Sequence, residues 1–195
     1  NLIIRTAVDA LAHCVESRLH TKANVYNHMF SEYGLALWSR LVPALTQLAG
    51  QKDKTPADLL SEEDREALML ASTVAGMAIA QTSTSLPHAI SYEITYNQGV
   101  PHGMACGIFL AAYMDEYARN NAEDVNRVLS LLGFPSTDDL GAFLRKILGT
   151  VTITEAECDL YADKVMTNAS KLSTYPFAID RDGIVRILTH SLEIR

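Results

Sequence analysis

Four side chains able to hold a divalent metal fall into two groups: Asp9 and His13 within DALAH, and His88 and His102 within LPHAISYEITYNQGVPHG. On a helix, the i,i+4 spacing of the first pair puts a carboxylate and an imidazole on one face, about one turn apart. Two imidazoles from a distant segment would close a site of one carboxylate and three nitrogen donors. That set suits a borderline ion such as Fe(II) or Zn(II), because imidazole favours these over Mg or Ca and the carboxylate adds negative charge. No thiolate is needed. Asp-x-x-x-His alone is common on helices and carries little weight. The second group is more informative. His88 follows Pro87 at a loop-to-helix junction and His102 sits in Pro101-His102-Gly103, so both are expected at helix starts. There the positive end of the macrodipole disfavours imidazolium and keeps the ring neutral, as a ligand requires. Gly103 allows something to approach closely. His20, His28 and His190 lack such settings and read as surface or hydrogen-bonded core residues.

These side chains must be positioned by helices, since strand signals are almost absent. Thr6-Ala7-Val8-Asp9 predicts the cap of a first helix running to about Leu19. A second is predicted from near Asn24, with Phe30, Leu35, Trp38, Leu41 and Leu45 on helical spacing and Gly50 at its end. The polar stretch Gln51 to Leu60, with Pro56, reads as a loop. Ser61-Glu62-Glu63-Asp64 then resembles a capping box opening a long helix through Ala71, Ala75 and Ala78, whose small side chains imply close packing. The run Thr82 to Ser85 breaks that helix. Leu86-Pro87-His88 begins a shorter one that ends before the turn Asn97-Gln98-Gly99, and Pro101 starts the next. Further helices are predicted from near Ser136, Thr154 and Asp180. The expectation is an all-α bundle forming a single domain over 1–195, because the one candidate linker, Lys171 to Ile179, is too short to argue for a second.

Composition narrows the function classes. The chain has 195 residues, 48% apolar and 20% charged, enough for a sizeable core and against disorder. Its net charge of −7 and lack of a Lys/Arg cluster make nucleic acid and anionic membrane poor partners. The longest apolar stretch, around Ala105 to Met114, is too short to span a bilayer, and no leader-like segment opens the chain, so a cytoplasmic protein is expected. The three cysteines, Cys14, Cys106 and Cys158, are widely spaced in apolar helical patterns and read as reduced core thiols.

Two segments together resemble the iron-containing (group III) alcohol dehydrogenase family. TAVDALAHCVES is similar to that family's metal-binding helix, and LPHAISYEITYNQGVPHGMACGIFL to its second signature, in which a His is followed at a fixed interval by Pro-His-Gly. SEEDREALMLASTVAGMAIAQTSTSLPHA, between them, resembles the helix leading into the second segment. The likeness covers most of Arg5 to Asn121 and extends more loosely to the end. It implies the C-terminal helical domain of the dehydroquinate synthase-like / iron-containing alcohol dehydrogenase fold. It further implies that Asp9, His13, His88 and His102 bind one catalytic ion, Fe(II) or alternatively Zn(II). The ion would act as a Lewis acid on the oxygen of a small alcohol or aldehyde while hydride passes between its carbon and NAD or NADP. The family's habit of assembly implies a homo-oligomer.

Two departures stand out. Four residues after His88, where many members carry a second His near the nicotinamide, this chain has Tyr92, read either as a catalytic proton relay or as a packed ring. And none of the ten glycines forms the Gly-rich turn of a dinucleotide-binding α/β domain. The expectation is that NAD(P) is bound by a missing N-terminal domain and that this chain is a fragment of a longer two-domain enzyme. The alternatives are an inactive structural or oligomerisation domain with a vestigial site, and a helical metal-dependent hydrolase. The latter would normally show a His-Asp pair or Glu-x-x-His, and neither occurs here.

Overall fold

The computed structural model describes residues 2–51 and 54–195. Helix α1, Leu2–Arg18, is buried on most of its circumference, from Ile4 through Val8, Leu11 and Val15. It begins earlier than the sequence suggests. Thr6 is not its cap but lies inside it, its hydroxyl donating back to the carbonyls of Leu2 and Ile3 at 3.2 Å. A Ser/Thr hydroxyl can bond back to the preceding turn, so the residue type alone did not mark the boundary. Helix α2, Val25–Gly50, is capped by Asn24, and α4, Glu62–Thr82, by Ser61 with Asp64 completing the box, both as expected. The segment expected to be a loop from Gln51 to Leu60 contains a single turn, α3, Pro56–Leu59, while Lys52 and Asp53 lie outside the described residues.

Helix α4 stops at Ser83, whose φ of 85° cannot continue a helix. Helix α5, Leu86–Gln98, follows and is closed by Gly99 at φ 65°. The apolar run after Pro101 is two helices rather than one: α6, His102–Gly107, and α7, Leu110–Ala118. Then come α8, Ala122–Leu132; α9, Thr137–Leu148; α10, Glu155–Met166; α11, Ala169–Leu172; and α12, Arg181–Ser191. The caps Ser136, Thr154 and Asp180 stand where the sequence places them. Helices α8 and α11 went unread, although Asn121 and Asn168 cap them.

The only strands among the described residues are β1, Thr152–Ile153, and β2, Glu193–Ile194, paired in parallel with Thr152 opposite Glu193. Two residues are too few to show a period-2 pattern. The molecule is therefore helical, as expected, with α1 at its centre. Helices α2 and α4 pack on α1 and on each other, α5 and α6 lie against α1 on another side, and α7 to α10 with α12 form the remaining layer. One continuous apolar cluster runs from Ile4 to Leu192. Trp38 of α2 ties into it by donating its indole N–H to the carbonyl of Ala7, at 2.9 Å. No helix of the described residues is long and apolar enough to cross a membrane.

Candidate metal centre

Helix α1 presents Asp9, His13 and Glu16 on one face, at i, i+4 and i+7. Against that face stand the first turns of α5 and α6, which carry His88 and His102. The crossing of α6 over α1 is close because Gly103 has no side chain. A Cβ there would lie 2.1 Å from the carbonyl oxygen of Arg5 and 3.2 Å from Cβ of Asp9. Gly107 repeats the device one turn later against Val8.

The start of α5 is held differently. Ser85 offers no side-chain cap; instead Glu16, fully buried on α1, accepts the backbone N–H of Ser85 at 2.9 Å and of His88 at 3.1 Å. A carboxylate at a helix N-terminus satisfies free donors and complements the dipole, here from across the fold. Its other oxygen makes a short contact with Nδ1 of His88. That contact fixes the ring and turns Nε2 toward Asp9.

The four residues singled out in the sequence converge. Oδ1 of Asp9 lies 3.5 Å from Nε2 of His88, 3.7 Å from Nε2 of His102 and 3.8 Å from Nε2 of His13. These separations are too long for hydrogen bonds, and Oδ1 of Asp9 and Nε2 of His88 are both buried without a partner. They are instead close to the edges of a donor tetrahedron around a metal, about 3.4 Å for bonds of about 2.0–2.1 Å. The rings of His13 and His88 stack at 4.9 Å, and that of His88 meets His102 edge-on at 5.2 Å.

At Asp9 and His13 the electrostatics suit a cation. Burial pushes the Asp9 carboxyl up, but the neighbouring His88, His13 and His102 outweigh it and hold it below the ordinary carboxylate range. Burial lowers the pKa of His13, against the pull of Asp9, which favours the neutral imidazole a ligand needs. His88 departs from the expectation that a helix start keeps the ring neutral. Burial and the dipole oppose the charge, yet Glu16, followed by Asp9, raises its pKa to about 12. With two carboxylates facing one ring, the direct charges win over the dipole.

Tyr92, one turn beyond His88 on α5, lies beside the cluster. Its ring is stacked on that of His102 at 6.3 Å with 12° between planes, and it is 45% exposed, so it is not a ring packed in the core. Reasoning from sequence missed two residues. Glu16 could have been found from its place seven residues after Asp9 on the same helical face. Cys106, one turn after His102, was read only as a core thiol; it is buried and unpaired, as are Cys14 and Cys158, but its sulfur adjoins the cluster. A cavity of about 780 Å³ lies elsewhere, between α1, α3 and α4, lined by Ile3, Thr6, Leu60, Leu68 and Met69 among others.

A family model described as "Fe-containing alcohol dehydrogenase family, C-terminal" matches residues 3–192. The chain is 27% identical over 184 residues to a 4-hydroxybutyrate dehydrogenase of Clostridium kluyveri, covering 87% of this chain and 47% of that protein. Over 67 residues it is 42% identical to a phosphonoacetaldehyde reductase of Streptomyces viridochromogenes, covering 34% of this chain and 17% of the relative. Among solved structures, an iron-containing alcohol dehydrogenase from Thermotoga maritima superposes with a TM-score of 0.81 at 27% identity, over 98% of this chain and 49% of that one. The chain thus spans about half the length of the Clostridium and Thermotoga proteins.

Proposed function

We propose, since the chain belongs to the Fe-containing alcohol dehydrogenase family and matches its C-terminal part, that Asp9, His13, His88 and His102 hold one catalytic divalent cation, Fe(II) or alternatively Zn(II). The reaction it serves is the interconversion of a small alcohol and its aldehyde, with NAD or NADP as hydride carrier. The observation that carries this reading is the convergence of three imidazole nitrogens on one carboxylate oxygen, with two of the four atoms buried and unpartnered.

A bound divalent ion supplies Lewis-acid polarisation of the alcohol or carbonyl oxygen. The chain's own residues do the rest of the positioning. Glu16 orients His88, Gly103 seats α6 so that His102 reaches Asp9, and Asp9 contributes the negative charge that retains a cation. Access is from the side of His102, whose side chain is 44% exposed, and of Tyr92. In this reading Tyr92, stacked on His102, carries a proton between substrate and solvent on that flank. The dinucleotide is held by an α/β domain beyond these residues, and this chain acts as a single metal and substrate domain.

Three unpaired cysteines support a reducing compartment, and we place the protein in the cytoplasm. Exposed apolar side chains on the neighbouring helices α2 and α4, Tyr26, Met29, Tyr33, Met69 and Met77, support assembly into a homo-oligomer.

The test is elemental analysis of anaerobically prepared chain beside Asp9→Ala and His102→Ala. About one Fe or Zn per chain, lost in both variants, is the expected result. Undiminished metal in both variants would refute the ligand assignment, and a parent without metal would favour a structural domain.

A further inference from the structure

The ammonium of Lys171 has no role in the reading above, on which the following inference rests and whose substrate it narrows. Lys171 belongs to α11, which packs against α5 beside the break that follows α4. It is half-buried, and its Nζ donates to the carbonyl of Thr84 at 3.0 Å and to the hydroxyl of the same residue. The loop after it is tied to the same corner, since Oγ1 of Thr174 donates to Oγ of Ser85 at 2.9 Å. An ammonium has three N–H donors, so one is left over. Among the described residues no carboxylate forms an ion pair with Lys171, whereas Lys164 of α10 pairs with Glu93 at 2.7 Å. Burial lowers the pKa of Lys171 against the pull of Glu16. A cation withdrawn from water without a counter-ion is stabilised by an anion that reaches it.

Position links this cation to the metal centre. Thr84, His88 and Tyr92 recur every four residues, so Lys171 stands at one end of a stripe that has His88 at its middle and Tyr92 at its other end. Three residues of helical rise and one extended residue put Thr84 about 8 Å from His88 along α5. With bonds of about 1.5 Å, a chain of about four or five carbons covers that span. No other cation takes the place of the missing counter-ion. His20, whose Nε2 stands 3.3 Å from Oγ of Ser83, has its pKa lowered by burial, by Lys22 and by Lys171, against the pull of Glu16.

We propose that Lys171 selects the substrate: its remaining N–H holds the carboxylate of a short ω-hydroxy acid, or of the matching ω-oxo acid, while the hydroxyl or aldehyde oxygen faces the metal centre. Lys171 meets the substrate away from the reacting carbon and takes no part in hydride or proton transfer. A side chain that only clamps the break before α5 would serve charged and neutral alcohols equally.

The experiment compares 4-hydroxybutyrate with 1-butanol in the two-domain enzyme proposed above, for the parent, Lys171→Met and Lys171→Arg, with metal content measured in each. The parent is expected to prefer the acid. Lys171→Met should keep its metal and lower kcat/KM for the acid about 10- to 100-fold, mainly through KM, as loss of a charge-assisted hydrogen bond implies, with a much smaller change for 1-butanol. Calorimetry without NAD(P) should show the same loss of affinity for the acid. Lys171→Arg, which keeps the charge, should recover much of it. A parent that oxidises 1-butanol as readily as the acid, or a preference that survives in Lys171→Met, overturns this inference and leaves the dehydrogenase reading standing. Equal losses for the two alcohols in Lys171→Met overturn it as well and reduce Lys171 to a clamp. Oxidation of neither alcohol by the metal-loaded parent overturns the dehydrogenase reading and this inference with it.

Discussion

His88 is useful as a ligand only once its Nε2 has given up its proton in favour of the incoming ion, and Glu16, although it raises the pKa of the ring, fixes which nitrogen keeps the other proton. The carboxylate can only accept, so Nδ1 carries the hydrogen of the neutral ring and Nε2 keeps its lone pair. Glu16→Gln preserves the shape and the acceptor for the N–H groups of Ser85 and His88 but offers an amide N–H to Nδ1. The favoured tautomer then reverses and Nε2 is protonated. The expected outcome is a 10- to 100-fold loss of Zn(II) affinity, on the order seen when partners of metal ligands are removed, with the fold retained. Unchanged affinity in a competition titration would show that Glu16 only caps α5. Tyr92 calls for a different readout. In the two-domain enzyme proposed above, Tyr92→Phe should keep its metal and lose turnover, about 10²-fold or more if the hydroxyl carries a proton in the rate-limiting step. Near-normal turnover would reduce Tyr92 to a ring stacked on His102.

The site depends equally on how closely two helices cross. His102 and Asp9 meet because α6 rests directly on the backbone of α1, with Gly103 over the carbonyl of Arg5. A backbone oxygen cannot swing away as the end of a flexible side chain can. Gly103→Ala should therefore push α6 outward, costing about 1–3 kcal/mol of stability as overpacking does, and move His102 out of ligand range. Thermal unfolding and metal content should fall together. A variant that melts with the parent and keeps its metal would mean that the crossing is looser than this contact implies. The break between α4 and α5 is the counterpart on the other side. Ser83 at positive φ turns the chain so that α5 starts against Glu16, and its position follows from the end of one helix and the cap of the next.

The ends of the bundle are joined by charge. Arg18 at the end of α1 bridges Glu32 of α2 at 3.1 Å and Asp124 of α8 at 3.0 Å, and Arg127 adds a second contact to Glu32 at 2.6 Å. Arg127, then Arg18, hold the Glu32 carboxyl below its ordinary 4.5, despite partial burial. The folded-state pKa is thus below the unfolded one. Its stabilisation is fully present above about pH 4.5 and is lost as pH falls through the folded value. Chemical denaturation followed against pH should show this loss in the parent and a shallower acid limb in Glu32→Gln. Superimposable acid limbs would mean that the network contributes nothing to stability.

Much of this was legible in the sequence because it is local. Capping residues at Asn24, Ser61, Ser136, Thr154 and Asp180 act on backbone groups two or three positions away, so helix starts could be read without knowing the neighbours. Ligand types and the spacing of Asp9 to His13 are likewise local, and the paired signatures supplied the link to His88 and His102. The contribution of Glu16 could not be read that way. Glu16 acts on residues about seventy positions downstream, where α5 begins. Nor could the charge on His88, because the helix start that argues for a neutral ring is a property of its own segment, whereas the two carboxylates that raise its pKa belong to another. The sequence alone determined which residues could bind a metal and which helices carry them. Tertiary structure decided which atoms face one another, because that depends on helix crossings set by packing across the core, to which no single segment holds the information.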